Sequence, residues 1–377
     1  MNPFHKLSIF ALLALTLSAG SACTSAPPPA DDDDSVDDDD SATDDDDSAD
    51  DDDDDSTGDD DDSAVSNVQA PPAPEDFEAL ALYARQDLLQ SYTVDVNALG
   101  YINGEQGTVL SFLGPDSLSH QDGSPVTGNV TVELLEVFDK GTMLVANMPS
   151  MGQMPDGGIA QLVSGGEHFV NATQGDEQLV LNTGFILTAP VDEEVGEIER
   201  MTMFRAVTED GLDADFDDEA VWVEEEVGGD EFMINQTDDD PTGNGGLQYW
   251  SLSSQFGWSN IDRWYSDPRP KTTIHVDVPE GFDDTNCAVY LSYDNEPTAL
   301  ANFDTYSAST ELFSEHYGLI PIGLEVHVIL VTEHEGQWSY AIQAETIVDG
   351  QLTTFPSADD LIETDTEGLT AVINGLP

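Results

Sequence analysis

The chain has 377 residues, 78 acidic against 8 basic side chains, and a formal charge of −70 at pH 7. That balance argues against nucleic acid or anionic lipid headgroups as partners, because phosphate recognition needs Lys and Arg. It leaves cationic partners, divalent metal, or simple solubility in a saline medium. With only Cys23 and Cys287 the chain is no disulfide scaffold.

Residues 1–22 read as a signal peptide. Lys6 precedes an apolar run from Leu7 to Leu17 that is too short to span a membrane as a mature helix. Gly20-Ser21-Ala22-Cys23 resembles a bacterial lipobox, which implies lipidation of Cys23 after cleavage. Gly20 stands where that pattern usually has Leu. Ordinary cleavage after Ala22 fits the same small residues.

Residues 23–74 read as an Asp-rich tether. Between Asp31 and Asp62 there are 22 Asp, broken only by Ser, Val, Ala, Thr and Gly. Such a segment cannot offset an ordering cost of roughly 1–2 kcal/mol per residue and is predicted to stay disordered. From Cys23 to Asp76 it could reach at most about 170–190 Å. The remainder of the chain keeps 56 acidic and 7 basic residues, a charge near −49.

Residues 75–240 are expected to hold a short helix and then a β-sandwich. Phe77, Leu80, Ala81, Ala84 and Leu88 recur at helical spacing over Glu75–Ser91. Short apolar runs follow, separated by Gly, Asp, Asn and Pro. They lie at Val109–Leu113, Val130–Val137, Ala160–Val163, His168–Ala172, Leu179–Leu181, Phe185–Thr188, Met201–Ala206 and Val221–Val223. The Gly-rich stretch Asp238–Gly246 reads as a linker. A second, smaller β-sandwich is expected over residues 247–357, with strands at Thr272–Val278, Ala288–Tyr293, Glu325–Thr332 and Trp338–Ala344. His334–Gln337 reads as a hairpin turn there. Residues 358–377 read as an acidic tail with a short helix at Ala358–Glu363. The fold class is thus mainly β, with two β-sandwich domains.

Gly107, Asp122, Gly123, Pro125, Val126, Thr127, Gly128, Val130, Leu134 and Glu136 carry a resemblance to an uncharacterised family of bacterial secreted proteins and lipoproteins. The segment is more distantly similar to ZU5-type β-sandwich modules. The phrase from Phe256 to Asn286, with Gly257, Trp258, Asn260, Asp262, Arg263 and the run Pro268-Arg269-Pro270-Lys271, resembles a later segment of the same family. The resemblance implies fold and location, and no activity.

Asp213, Asp215, Asp217 and Glu224 fall at positions 1, 3, 5 and 12 of an EF-hand-like calcium loop. Asp218 stands where the sharp turn wants Gly, and the flanks read as strands. An acidic hairpin turn fits the same residues. Trp258, Trp264 and Tyr265, with Tyr249, Trp250 and Arg263, form an aromatic cluster. Exposed, it would recognise carbohydrate or protein. Buried, it would form core, or Arg263 would join the two domains. The histidines (His5, His120, His168, His275, His316, His327 and His334) show no zinc-ligand spacing. No catalytic motif occurs, so an enzyme is not expected. The expectation is an exported, lipid-anchored surface protein of the bacterial cell envelope. It would act as a binding or display module, touch the membrane through its anchor, and take an unknown protein or carbohydrate ligand. A calcium-stabilised adhesion module is the alternative, with calcium the one cofactor considered.

Overall fold

In a computed structural model, residues 69–377 are described, apart from 209, 227–231, 238–245 and 316. The signal, Cys23, the tether and most of the expected linker lie outside the described residues. The protein is mainly β.

Two face-to-face sheets form the first sandwich. The larger runs in the order Gln90–Asp95, Asn129–Val137, Ile159–Gln174, Gly257–Trp264, Thr202–Val207, Val221–Glu224, Met151–Gln153. Met151–Gln153 also pairs with Ile159–Gln174, so this part of the sheet curls closed on itself. Gly152 permits the closure, because a Cβ there would lie 2.8 Å from the ring of Trp264. The second sheet has five strands in the order Phe232–Thr237, Gly246–Ser253, Phe185–Pro190, Val109–Phe112, Tyr101–Asn103. Alternation sends Leu110, Phe112, Phe185, Leu187 and Tyr249 inward, against Val132, Leu134, Val163 and Ile261 of the larger sheet.

The second sandwich stacks a four-stranded sheet (Thr305–Ser307, Leu312–Ser314, His275–Asp277, Leu352–Thr354) on a five-stranded one. The latter runs Leu300–Asn302, Cys287–Tyr293, Glu325–His334, Gln337–Thr346, Ile362–Thr364. Val276 and Phe313 meet Val289, Leu291, Val328 and Leu330 in its core. The hairpin joining the two longest strands turns on Glu335 (φ 50°) and Gly336 (φ 81°), as its sequence predicts.

Three helices seal the two sandwiches together: α1 (Pro74–Asp87), α2 (Lys140–Val145) and α3 (Thr366–Asn374). One apolar cluster joins Ala84, Met143, Leu144, Leu369 and Ile373 of these helices to Phe204, Trp222 and Trp258 of the first sandwich. The same cluster takes in Tyr290, Ile329 and Trp338 of the second. The described residues accordingly form one compact unit.

Several expectations need correction. The sheets do not divide at 240–247, because Gly246–Ser253 and Gly257–Trp264 both pair within the first sandwich. The division falls after Trp264. The N-terminal helix stops at Asp87, and Gln90 and Ser91 already pair with Leu134 and Glu133. The two runs Ala160–Val163 and His168–Ala172 belong to one 16-residue strand, with a bulge at Gly165-Gly166. The tail is no loose appendage. Ala358–Asp360 is a short 3-10 turn, Ile362–Thr364 is a strand, and α3 follows, capped by Asp365, whose carboxylate accepts from Gly368 N at 2.8 Å.

Candidate functional site

The expected calcium loop does not assemble. Asp213 is ion-paired with Arg205. Glu224 accepts a hydrogen bond from the Trp264 indole at 2.9 Å. The Asp215 carbonyl accepts from the Trp258 indole at 3.3 Å, and its N–H donates to the Asp218 carboxylate at 2.9 Å. Asp217 is exposed and acts electrostatically on Arg85. Among the described residues, no group of three or more His, Cys, Asp or Glu side chains is arranged to hold a metal ion.

Most of the aromatic cluster is interior. Trp258 is 5% exposed and packs on Phe169, Phe216 and Trp222. Trp264 meets Phe204 edge-on, and Tyr265 meets Tyr293 of the second sandwich. Arg263 is buried. Its guanidinium donates to the Val195 and Gly196 carbonyls at 2.9 and 3.2 Å, and to the Glu296 carboxylate at 3.2 Å. Since Glu296 lies between two strands of the second sandwich, Arg263 ties the sandwiches together.

Sequence reasoning missed Arg85. From α1 it donates to Ala146 O (2.7 Å), Phe216 O (2.6 Å), Asp218 O (3.1 Å) and Asn147 O (3.3 Å), and it lies over the Trp258 ring. One side chain thereby fixes α1, the end of α2 and the acidic loop. Burial pulls its pKa down, opposed chiefly by Asp217. A lone Arg at the end of an acidic helix carries no sequence signal of that role.

The resemblance motifs resolve into buried polar structure. The Glu136 carboxylate is buried and accepts from Thr108 N (2.8 Å), Gln106 N (3.0 Å) and the Gln90 amide (2.8 Å). His168 reaches Thr108 Oγ1 at 3.1 Å, and burial lowers its pKa to about 4. Asn260 donates to Asp262 at 2.7 Å and to Glu167 at 3.4 Å, and accepts from Ser164 at 2.9 Å. Burial raises the Asp262 and Glu167 carboxyls well above the usual carboxylate range. Glu167 Oε2 and Asp262 Oδ1 are buried without a hydrogen-bond partner. This seam hardens the junction with Thr298, whose hydroxyl donates to Ser164 O at 2.6 Å. None of these groups faces an open cleft.

The face that is open lies elsewhere. On the five-stranded sheet of the first sandwich, outward side chains line up by register. Met233, Trp250, Thr188, Val109 and Asn103 form one row. Leu252, Ile186, Ser111 and Tyr101 form the next. Tyr101 is 75% exposed, Leu252 and Met233 are 39% exposed, and Trp250 is half-buried. A third row adds Asn235 and Pro190, with Gln248 between them buried. None of these residues is charged, on a body that carries one acidic residue in about every six. The loops leaving the sheet resume the charge at once, with Glu105, Asp192 and Glu193. At a strand spacing of about 4.8 Å and an i,i+2 spacing of about 6.8 Å, five strands and three rows cover roughly 250–350 Å².

No protein-family model matches the chain, and no curated protein matches it either.

Proposed function

We propose that the chain is an exported surface protein of the bacterial envelope, anchored through lipidated Cys23 and displayed on its aspartate tether, whose folded unit binds a ligand rather than catalysing a reaction. Its resemblance to secreted bacterial proteins with a ZU5-like segment belongs to the same reading. The observation that carries the binding role is the uncharged outer face of the five-stranded sheet. The largest apolar patch on a monomer covers about 300–600 Å² and is often functional, and this mixed apolar and uncharged polar face is close to that size. Charge has been kept off it while the surrounding surface is crowded with carboxylates. The buried polar ties support the same role, because Arg263 joins the two sandwiches through Glu296 and Arg85 fixes α1, the end of α2 and the acidic loop to one another.

Two measurements test the proposal. Palmitate labelling of cells expressing the full chain should label the parent and not Cys23→Ala, and the variant should appear in the medium. Equal labelling, or unchanged fractionation, removes the anchor. For the face, Leu252→Cys should resist a maleimide on intact producing cells yet react in the purified chain. Cys287 is 2% exposed and stays silent in the folded protein. Equal reaction in both settings shows an unoccupied face and removes the binding role.

A further inference from the structure

We infer that the ligand of this face is a neutral polysaccharide chain, an inference that rests on the binding role proposed above. The face itself selects against the other occupants. A cationic ligand would meet no carboxylate among the described residues of the face. An anionic ligand would approach through the field of a body near −49, with no Lys or Arg on the face to receive it. A second copy of the chain is disfavoured twice. A stable interface needs about 800 Å² per partner, more than twice this patch, so two copies would have to press their acidic surroundings together.

The face's own mix of aromatic rings and hydroxyls fits a narrow, flat, uncharged ligand with apolar faces and many hydroxyls. Trp250 and Tyr101 stand three strands and one row apart, about 16 Å from ring base to ring base. The strip between them holds Ile186, Val109, Thr188 and Ser111. A sugar ring carries C–H bonds on its faces and hydroxyls round its rim. The two aromatic side chains can take the faces, while Thr188 and Ser111 can bond the hydroxyls. The spacing suits a ligand that runs across the strands and touches both aromatics, rather than one monosaccharide held at a point. Leu252 at the edge of the face lines an open cavity of about 450 Å³ with Glu224, Glu225 and Glu226, while the strip from Trp250 to Tyr101 is sheet surface, so grip on a single sugar is weak and affinity grows with chain length.

The test uses the exported chain purified in detergent. Its retention is measured on a panel of insoluble neutral polysaccharides (cellulose, mannan, starch, xylan), with pectate as the anionic control and chitosan as the cationic one. The expected result is retention on at least one neutral polymer, little changed between 50 mM and 500 mM salt. Trp250→Ala and Tyr101→Ala should each weaken it tenfold or more at an unchanged thermal midpoint. Retention on chitosan alone, or binding that both variants keep, overturns the inference. If no neutral polymer retains the chain while Leu252→Cys stays shielded on cells, the ligand class is wrong and the binding face survives. If that thiol is also open on cells, both fall.

Discussion

Replacing Arg85 with Met removes its four hydrogen bonds to the end of α2 and the acidic loop while keeping much of the apolar stem. Four carbonyls lose their donor, and the bond to Ala146 O is fully buried. A hydrogen bond from a charged donor contributes about 1.5–3 kcal/mol, but water can reach the partly buried carbonyls and restore part of that. The variant also relieves the desolvation that lowers the Arg85 pKa. The net loss should be about 3 kcal/mol. At about 2–4 °C per kcal/mol, the thermal midpoint should fall by roughly 6–12 °C. Calorimetry of parent and variant measures this. Limited proteolysis should show faster cutting near Asp215–Asp218, because the loop loses its tie. Arg200→Met is the control. Its exposed i,i+3 pair with Glu197 should contribute under about 0.5 kcal/mol. An Arg85→Met loss below 1 kcal/mol, with the loop no more easily cut, would refute the idea that this side chain locks the platform.

Three further outcomes follow from the same geometry. Asp262 and Glu167 are raised acids, so the folded state binds more protons than the unfolded one above the ordinary carboxylate range, and stability should fall as pH rises from about 4 upward. Asp262→Asn and Glu167→Gln should therefore be neutral or stabilising at pH 7 and flatten that slope; urea midpoints at several pH values decide it, and a loss above about 2 kcal/mol in both would contradict it. His168 has the opposite sign: its lowered pKa means that stability is lost as pH falls from about 6.5 to about 4, and His168→Gln should remove that part of the acid limb. Calcium, magnesium and sodium chloride at matched ionic strength should move the thermal midpoint alike, in the parent and in Asp213→Ala/Glu224→Ala. A midpoint raised by micromolar calcium alone, and lost in that double variant, would restore the metal loop.

Much of the fold is legible in the chain, because strand periodicity is local. Residues 129–134 alternate plainly, and the Glu335-Gly336 turn announces its hairpin. Other features depend on partners far away in sequence. Gly165-Gly166 looks like a strand break, yet Gly166 adopts φ 137° inside a bulge that keeps one strand continuous. The strand Gly257–Trp264 follows a Gly-rich stretch and reads as the start of a new domain. Its neighbours in the sheet, Ile159–Gln174 and Thr202–Val207, lie dozens of residues earlier. α3 could have been found, since Asp365 offers a cap and Leu369, Val372, Ile373 and Leu376 recur at helical spacing. The acidic loop misleads because carboxylates are so common that the EF-hand spacing arises within a hairpin. The neutral face was hidden for a different reason. Its residues come from five separate strands, and only their register shows that charge is missing from one side of one sheet.

Two tryptophans eight residues apart have separate roles, and one experiment compares them directly. Trp250 should serve recognition, and Trp258 should serve the core. The measurement is retention on a neutral polysaccharide and the thermal midpoint, side by side, for Trp250→Ala and Trp258→Ala. Trp250→Ala should lose binding tenfold or more and melt like the parent. Trp258→Ala should lose about 3–5 kcal/mol of stability and, below its lowered midpoint, still bind. If Trp258→Ala melts like the parent but no longer binds, while Trp250→Ala binds normally, recognition lies at the buried cluster and the outer face of the sheet is not the site.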